Sequence, residues 1–99
     1  MRLTDAEHAE IVALAKHRFG QHAIVRLFGS MIDDNRIGGD IDLHILAERD
    51  ELATLANELE FTDELKDRIG DQKIDVIVRR PGYNPRGIDD LAVRTGIVL

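Results

Sequence analysis

Residues 40–46, Asp-Ile-Asp-Leu-His-Ile-Leu, alternate polar and apolar side chains with a period of two. That period belongs to an extended strand, which sends successive side chains to opposite faces. The segment therefore predicts a half-buried strand, with Ile41, Leu43 and Ile45 turned into a core. Asp40, Asp42 and His44 then share the other face. A lone strand cannot satisfy its backbone, so the rest of the chain must supply its neighbours.

Two further runs read as those neighbours. Ala23-Ile24-Val25-Arg26-Leu27-Phe28 is β-branched and apolar and ends at Gly29-Ser30, a strand feeding a turn. Lys73-Ile74-Asp75-Val76-Ile77-Val78 is a third strand, closed by Pro81-Gly82. Residues 31–39, MIDDNRIGG, are polar and glycine-rich and read as loop.

Helices flank the strands. Thr4 with Glu7 three residues later forms a capping-box signature. Ile11, Leu14, Ala15 and Phe19 follow at helical spacing, and Gly20 ends a helix over about residues 4–19. Residues 50–69 return to that spacing through Leu52, Leu55, Leu59, Leu65 and Ile69, with a slip near Phe61-Thr62 that predicts a kink or break there. Asn84-Pro85 reads as N-cap and first residue of a last helix, with Ile88, Leu91 and Ala92 on one face and Gly96 beyond. The order α-β-loop-β-α-β-α predicts an α/β (α+β) fold, a small mixed β-sheet with helices packed on it. The first two strands should pair antiparallel, and the third, after a crossover helix, should run parallel to one of them.

Composition sets the outer limits. With 99 residues the expectation is a single domain over 1–99, one core and no separate substrate-recognition domain. Only 4% of the residues are aromatic, so the core must be aliphatic. Thirteen basic against nineteen acidic residues leave a net charge of −6, which disfavours direct nucleic-acid binding and adhesion to anionic lipid. The absence of stacking aromatics points the same way. No run approaches the ~18 apolar residues of a membrane span, and there are no cysteines. The natural compartment is cytoplasmic.

The chemistry lies in the spacing of Gly29-Ser30, then Asp40-Ile41-Asp42, then Asp75. Carboxylates two apart on a strand project to one side and repel one another unless a cation intervenes. Hard divalent ions with oxygen ligands suit them, and Mg²⁺ typically takes one or two carboxylates plus substrate phosphates. Asp75 lies between Ile74 and Val76, so it faces away from the core, as Asp40 and Asp42 do. Pairing with Lys73 or an arginine is the other use for it. Gly29 permits close backbone approach, and N–H groups there with the Ser30 hydroxyl can cradle phosphate oxygens; for Gly29-Ser30 alone, a tight turn without a ligand is an equal reading. Arg36 is a further candidate for phosphate contact, its guanidinium being a bidentate partner, or it is a solvated loop residue.

Taken together, Gly29-Ser30…Asp40-Ile41-Asp42 resembles the signature of the DNA polymerase β-like nucleotidyltransferase superfamily. From about Ile24 to Val78, and again at Thr95-Gly96, the chain resembles its shortest members, the minimal nucleotidyltransferases (MNT) of prokaryotes. The resemblance implies that Gly29 and Ser30 bind the triphosphate of ATP or another nucleoside triphosphate. It implies that Asp40 and Asp42 hold two Mg²⁺ ions, with Asp75 as a third carboxylate that binds the catalytic metal and helps deprotonate an acceptor hydroxyl. Proteins of this kind move a nucleoside monophosphate onto a hydroxyl and release pyrophosphate. Many MNT proteins act as antitoxin to a helical HEPN ribonuclease toxin, some by adding AMP to it.

Three functions follow as expectations. One is an enzyme transferring AMP to a hydroxyl of a HEPN-type partner; one is an antitoxin that neutralises its partner by contact; one is the catalytic half of a two-chain transferase acting on a small molecule. Homo- and hetero-oligomers are both open. Several residues read as structural instead. Asp33 and Asp34 solvate the loop, Gly38 and Gly39 shape it, and His8, His17 and His22 lack ligand spacing. His44 either touches the site or, the favoured reading, is a hydrogen-bonded, partly buried histidine. Arg79-Arg80 is a small basic patch, solvated or turned to an acidic partner.

Overall fold

The computed structural model describes residues 3–29 and 41–99. Within these, helix α1 (Asp5–Phe19) leads to strand β1 (Ile24–Phe28); strand β2 (Ile41–Leu46) is followed by a short 3-10 turn (Asp50–Leu52) and helix α2 (Leu55–Ile69). Strand β3 (Ile74–Arg79), helix α3 (Gly87–Thr95) and a two-residue strand β4 (Ile97–Val98) complete the order. No described helix is long and apolar enough to cross a membrane.

The strands form one mixed sheet in the order β3-β2-β1-β4. β1 and β2 pair antiparallel, and β3 lies parallel to β2, as the hairpin and crossover connections require. β4 was not foreseen: it pairs antiparallel with β1 on the far edge, and the Leu99 N–H continues the ladder to the Val25 carbonyl at 2.9 Å. Two residues are too few to show a period, so nothing in their pattern marks them as strand.

One face of the sheet carries the core. Val25, Leu27, Ile41, Leu43, Ile45 and Ile74 are buried against Ile11, Leu14, Ala15 and Phe19 of α1 and Phe61 and Leu65 of α2. Phe19 and Phe61 meet in a tilted ring pair, centroids 5.4 Å apart, which locks the two helices together. Burial of side chains this size contributes about 1.5–3 kcal/mol each. Asn57 adds a polar clasp: its Nδ2 donates to the Arg18 carbonyl at 2.7 Å and to the Leu52 carbonyl at 2.8 Å, tying the end of α1 to the start of α2.

The capping box of α1 is present, with the Glu7 N–H donating to Thr4 Oγ1 and the Thr4 N–H to Glu7 Oε1. Two helix expectations are corrected. The segment over 50–69 breaks at Ala53-Thr54 and runs unbroken through Phe61-Thr62. Thr54 N-caps α2 by accepting from the Asn57 N–H, while Thr62 bonds its hydroxyl back to the Glu58 carbonyl inside the helix. The buried stripe therefore runs through Phe61 and Leu65, and Leu55 and Leu59 point outward, 68% and 56% exposed. The last helix begins two residues later than Asn84-Pro85 suggests. Arg86 is its N-cap because the Asp89 carboxylate reaches back to accept the Arg86 N–H at 2.7 Å. Its buried positions are Asp89 and Ala92, while Leu91 is exposed.

Candidate functional site

The site is built by strand register. Phe28 of β1 stands opposite Asp42 of β2, and Asp42 stands opposite Asp75 of β3. Residues directly abreast in a sheet send their side chains to the same face, and neighbouring strands are about 4.8 Å apart. Asp42 and Asp75 thus lie side by side on the face away from the α1–α2 core, Asp42 half-buried and Asp75 exposed. Their buried neighbours Ile41, Leu43 and Ile74 hold the strands in that register. A one-residue slip would turn these apolar side chains to solvent.

Gly29 follows directly on β1 with φ +79°. A side chain here would be strained by the backbone and would collide with the Asp42 carboxylate, whose Oδ2 occupies the space a Cβ would take. The glycine is therefore matched to the acid: its backbone closes over Asp42 where the first strand ends.

Two carboxylates separated by about one strand spacing, ~4.8 Å, would repel by about 1 kcal/mol in a water-like dielectric. Their hard oxygens are the donor type that Mg²⁺ takes, so Asp42 and Asp75 fit a divalent cation by chemistry and by placement. Among the described residues no group of three or more His, Asp or Glu comes together as a metal cluster. Asp40, the remaining carboxylate expected there, lies outside the described residues, as do Ser30 and Arg36. Of the six residues singled out from the sequence, the structure brings Gly29, Asp42 and Asp75 together.

Behind this row lies a group the sequence did not reveal. His44, two residues after Asp42 on the same face, is 1% exposed, and so is Asp89 of α3. The His44 Nε2–H donates to Asp89 Oδ1 at 2.7 Å. Asp89 Oδ2 accepts from the Arg86 N–H at 2.7 Å and from Arg86 Nε at 3.2 Å. Burial alone would push the Asp89 carboxyl up, but the hydrogen bonds from the Arg86 side chain, the Arg86 backbone and His44, with the guanidinium charge, outweigh it and hold the group well below the usual carboxylate range. Asp89 is therefore ionised at neutral pH, which is why the imidazole donates. The pair pins α3 to the carboxylate-bearing face and bears out the reading of His44 as a hydrogen-bonded residue, now wholly buried. Its partner had no sequence signal beyond an acid three residues after Arg86.

A family model for polymerase beta nucleotidyltransferases matches residues 10–99. No curated protein matches the chain.

Proposed function

The chain belongs to the polymerase β nucleotidyltransferase family, and on that premise we propose that it is a Mg²⁺-dependent enzyme moving AMP from ATP onto a hydroxyl of a partner protein, the partner being a HEPN-type ribonuclease toxin that this chain silences. The observation that carries the reading is the row Gly29–Asp42–Asp75, two carboxylates abreast beneath a glycine that no other residue can replace without displacing the acid.

In this reading Asp40, Asp42 and Asp75 hold the metal, and Gly29, Ser30 and Arg36 receive the triphosphate. Two Mg²⁺ ions, when bound, supply charge neutralisation for an in-line displacement. The acceptor hydroxyl oxygen bonds to the α-phosphorus as the bond from that phosphorus to the pyrophosphate oxygen breaks. Asp75, the more exposed carboxylate, takes the hydroxyl proton, and pyrophosphate leaves. Asp42 is held between Gly29 and Asp75 by the register of β1, β2 and β3 and keeps its place throughout.

A protein acceptor is supported by the apolar surface. Leu55 and Leu59, four residues apart and so neighbours on the surface of α2, are both more than half exposed, and adjacent apolar side chains left on a helix surface suit contact with another protein. The same observation favours one second reading, neutralisation by contact alone.

One experiment separates the two. The chain is incubated with labelled ATP, Mg²⁺ and the product of the neighbouring gene, and label on that protein and its residual ribonuclease activity are both measured. Transfer is expected for the native chain and a loss of about 10³-fold or more for Asp42→Asn and Asp75→Asn, the scale of losing electrostatic stabilisation of a transition state. Absence of label with the native chain, or full protection by both variants, would reject the transfer chemistry; the latter would establish protection by contact.

A further inference from the structure

A second concave feature lies at the other end of β3. Asp75 is near the start of that strand and Arg79 is its last residue; four steps at ~3.3 Å put them about 13 Å apart. Beyond Arg79 opens a cleft of about 390 Å³, lined among others by Thr54, Glu58, Arg79, Arg80, Tyr83 and Arg86. Its size falls within the range of small-molecule pockets, and no described residue of the Gly29–Asp42–Asp75 row touches it.

Five observations bear on what it holds. Three arginines line it in a chain whose net charge is −6. Arg86 is engaged with Asp89, but neither Arg79 nor Arg80 forms an ion pair with a described residue. The Arg79 Nε is buried and has no hydrogen-bond partner among the described residues, although an unsatisfied buried donor on a charged group is costly. Arg80 is held with its guanidinium over the ring of Tyr83, 5.1 Å from the centroid, a residue that is 58% exposed. The start of the 15-residue helix α2, Thr54 and Leu55, forms another wall and brings the positive end of its dipole to the same space.

We propose that this cleft binds a small phosphate-bearing ligand through Arg79 and Arg80, at a site separate from the carboxylate row. A single carboxylate fills one guanidinium fork, whereas a phosphate has oxygens enough for both forks and for donors at the helix start. The exposed Tyr83 ring beside them suits an organic substituent on that phosphate. Glu58 sets the opposing charge: burial pushes its carboxyl up, with Arg86 pulling the other way, and it tunes how much negative charge the cleft accepts. This inference stands apart from the proposed transfer reaction, since neither Asp42 nor Asp75 takes part in it.

The test is titration of the full chain, without divalent ions, with inorganic phosphate and separately with phenyl phosphate, followed by amide NMR shifts and calorimetry. Saturable binding is expected with Kd of about 1 mM or tighter, with shifts at residues 79–86. Arg80→Gln, at an exposed position, and Arg79→Gln should each weaken it by about tenfold or more. Glu58→Gln should tighten it, and Asp42→Asn with Asp75→Asn should leave it unchanged. Tighter binding of phenyl phosphate assigns an organic phosphomonoester; equal binding assigns inorganic phosphate. No saturable binding of either probe, undiminished binding by a folded Arg80→Gln chain, or binding that vanishes with Asp42→Asn would each overturn the assignment.

Discussion

Gly29→Ala tests the site at its tightest point, and Gly70→Ala supplies the control. Both glycines have positive φ, +79° and +98°, so alanine at either position incurs a backbone strain of about 1–3 kcal/mol. A Cβ at Gly70 has nothing within 4 Å, whereas one at Gly29 runs into the Asp42 carboxylate. Moving that carboxylate off its rotamer adds about 0.5–1.5 kcal/mol. Gly70→Ala should thus lose about 1–3 kcal/mol and Gly29→Ala about 1.5–4.5 kcal/mol, both measured by urea denaturation, within the reserve of about 5–15 kcal/mol that a domain holds. Function should divide the two far more sharply. A displacement of ~1 Å in a group that positions the reaction costs about 10²-fold, so Gly29→Ala should lose that much Mg²⁺-dependent transfer and most of the thermal stabilisation by ATP with Mg²⁺, while Gly70→Ala keeps both. If Gly29→Ala, shown to be folded, transfers nucleotide as well as Gly70→Ala does, then the Asp42 carboxylate is not where the reaction needs it, and the site has been placed wrongly.

Two further predictions concern the frame around the site. Asp89→Ala leaves His44 buried without its acceptor and should cost about 3–5 kcal/mol by chemical denaturation. Because the folded Asp89 carboxyl lies below its unfolded value, its contribution is complete above pH ~4 and disappears as pH falls through the folded pKa; the acid limb of the stability profile should be shallower in Asp89→Asn than in the native chain. Thr4→Ala removes the acceptor for the Glu7 N–H and should cost about 1 kcal/mol, read as a lowered urea midpoint with nucleotide binding unchanged.

Local pattern alone determined much of this protein. The Thr4–Glu7 box, the spacing of Ile11, Leu14, Ala15 and Phe19, and the alternation through Asp42, Leu43, His44 and Ile45 are each written within a few residues, and α1 and β2 follow them. Alternation also placed Asp42 and Asp75 away from the core, since each sits between apolar neighbours bound to face inward. What the sequence could not show was which residues stand abreast: the Asp42–Asp75 register depends on how far β3 slides along β2 before Ile41, Leu43 and Ile74 are all covered. Leu55 and Leu59 misled for the same reason, because a helical spacing marks an apolar stripe but not which stripe meets the sheet, and Phe61 and Leu65 met it instead. The His44–Asp89 pair, forty-five residues apart in the chain, and the arginine cleft at the end of β3 exist only once α3 and α2 have packed. A polar group finds its partner through space, and only the tertiary structure decides that distance.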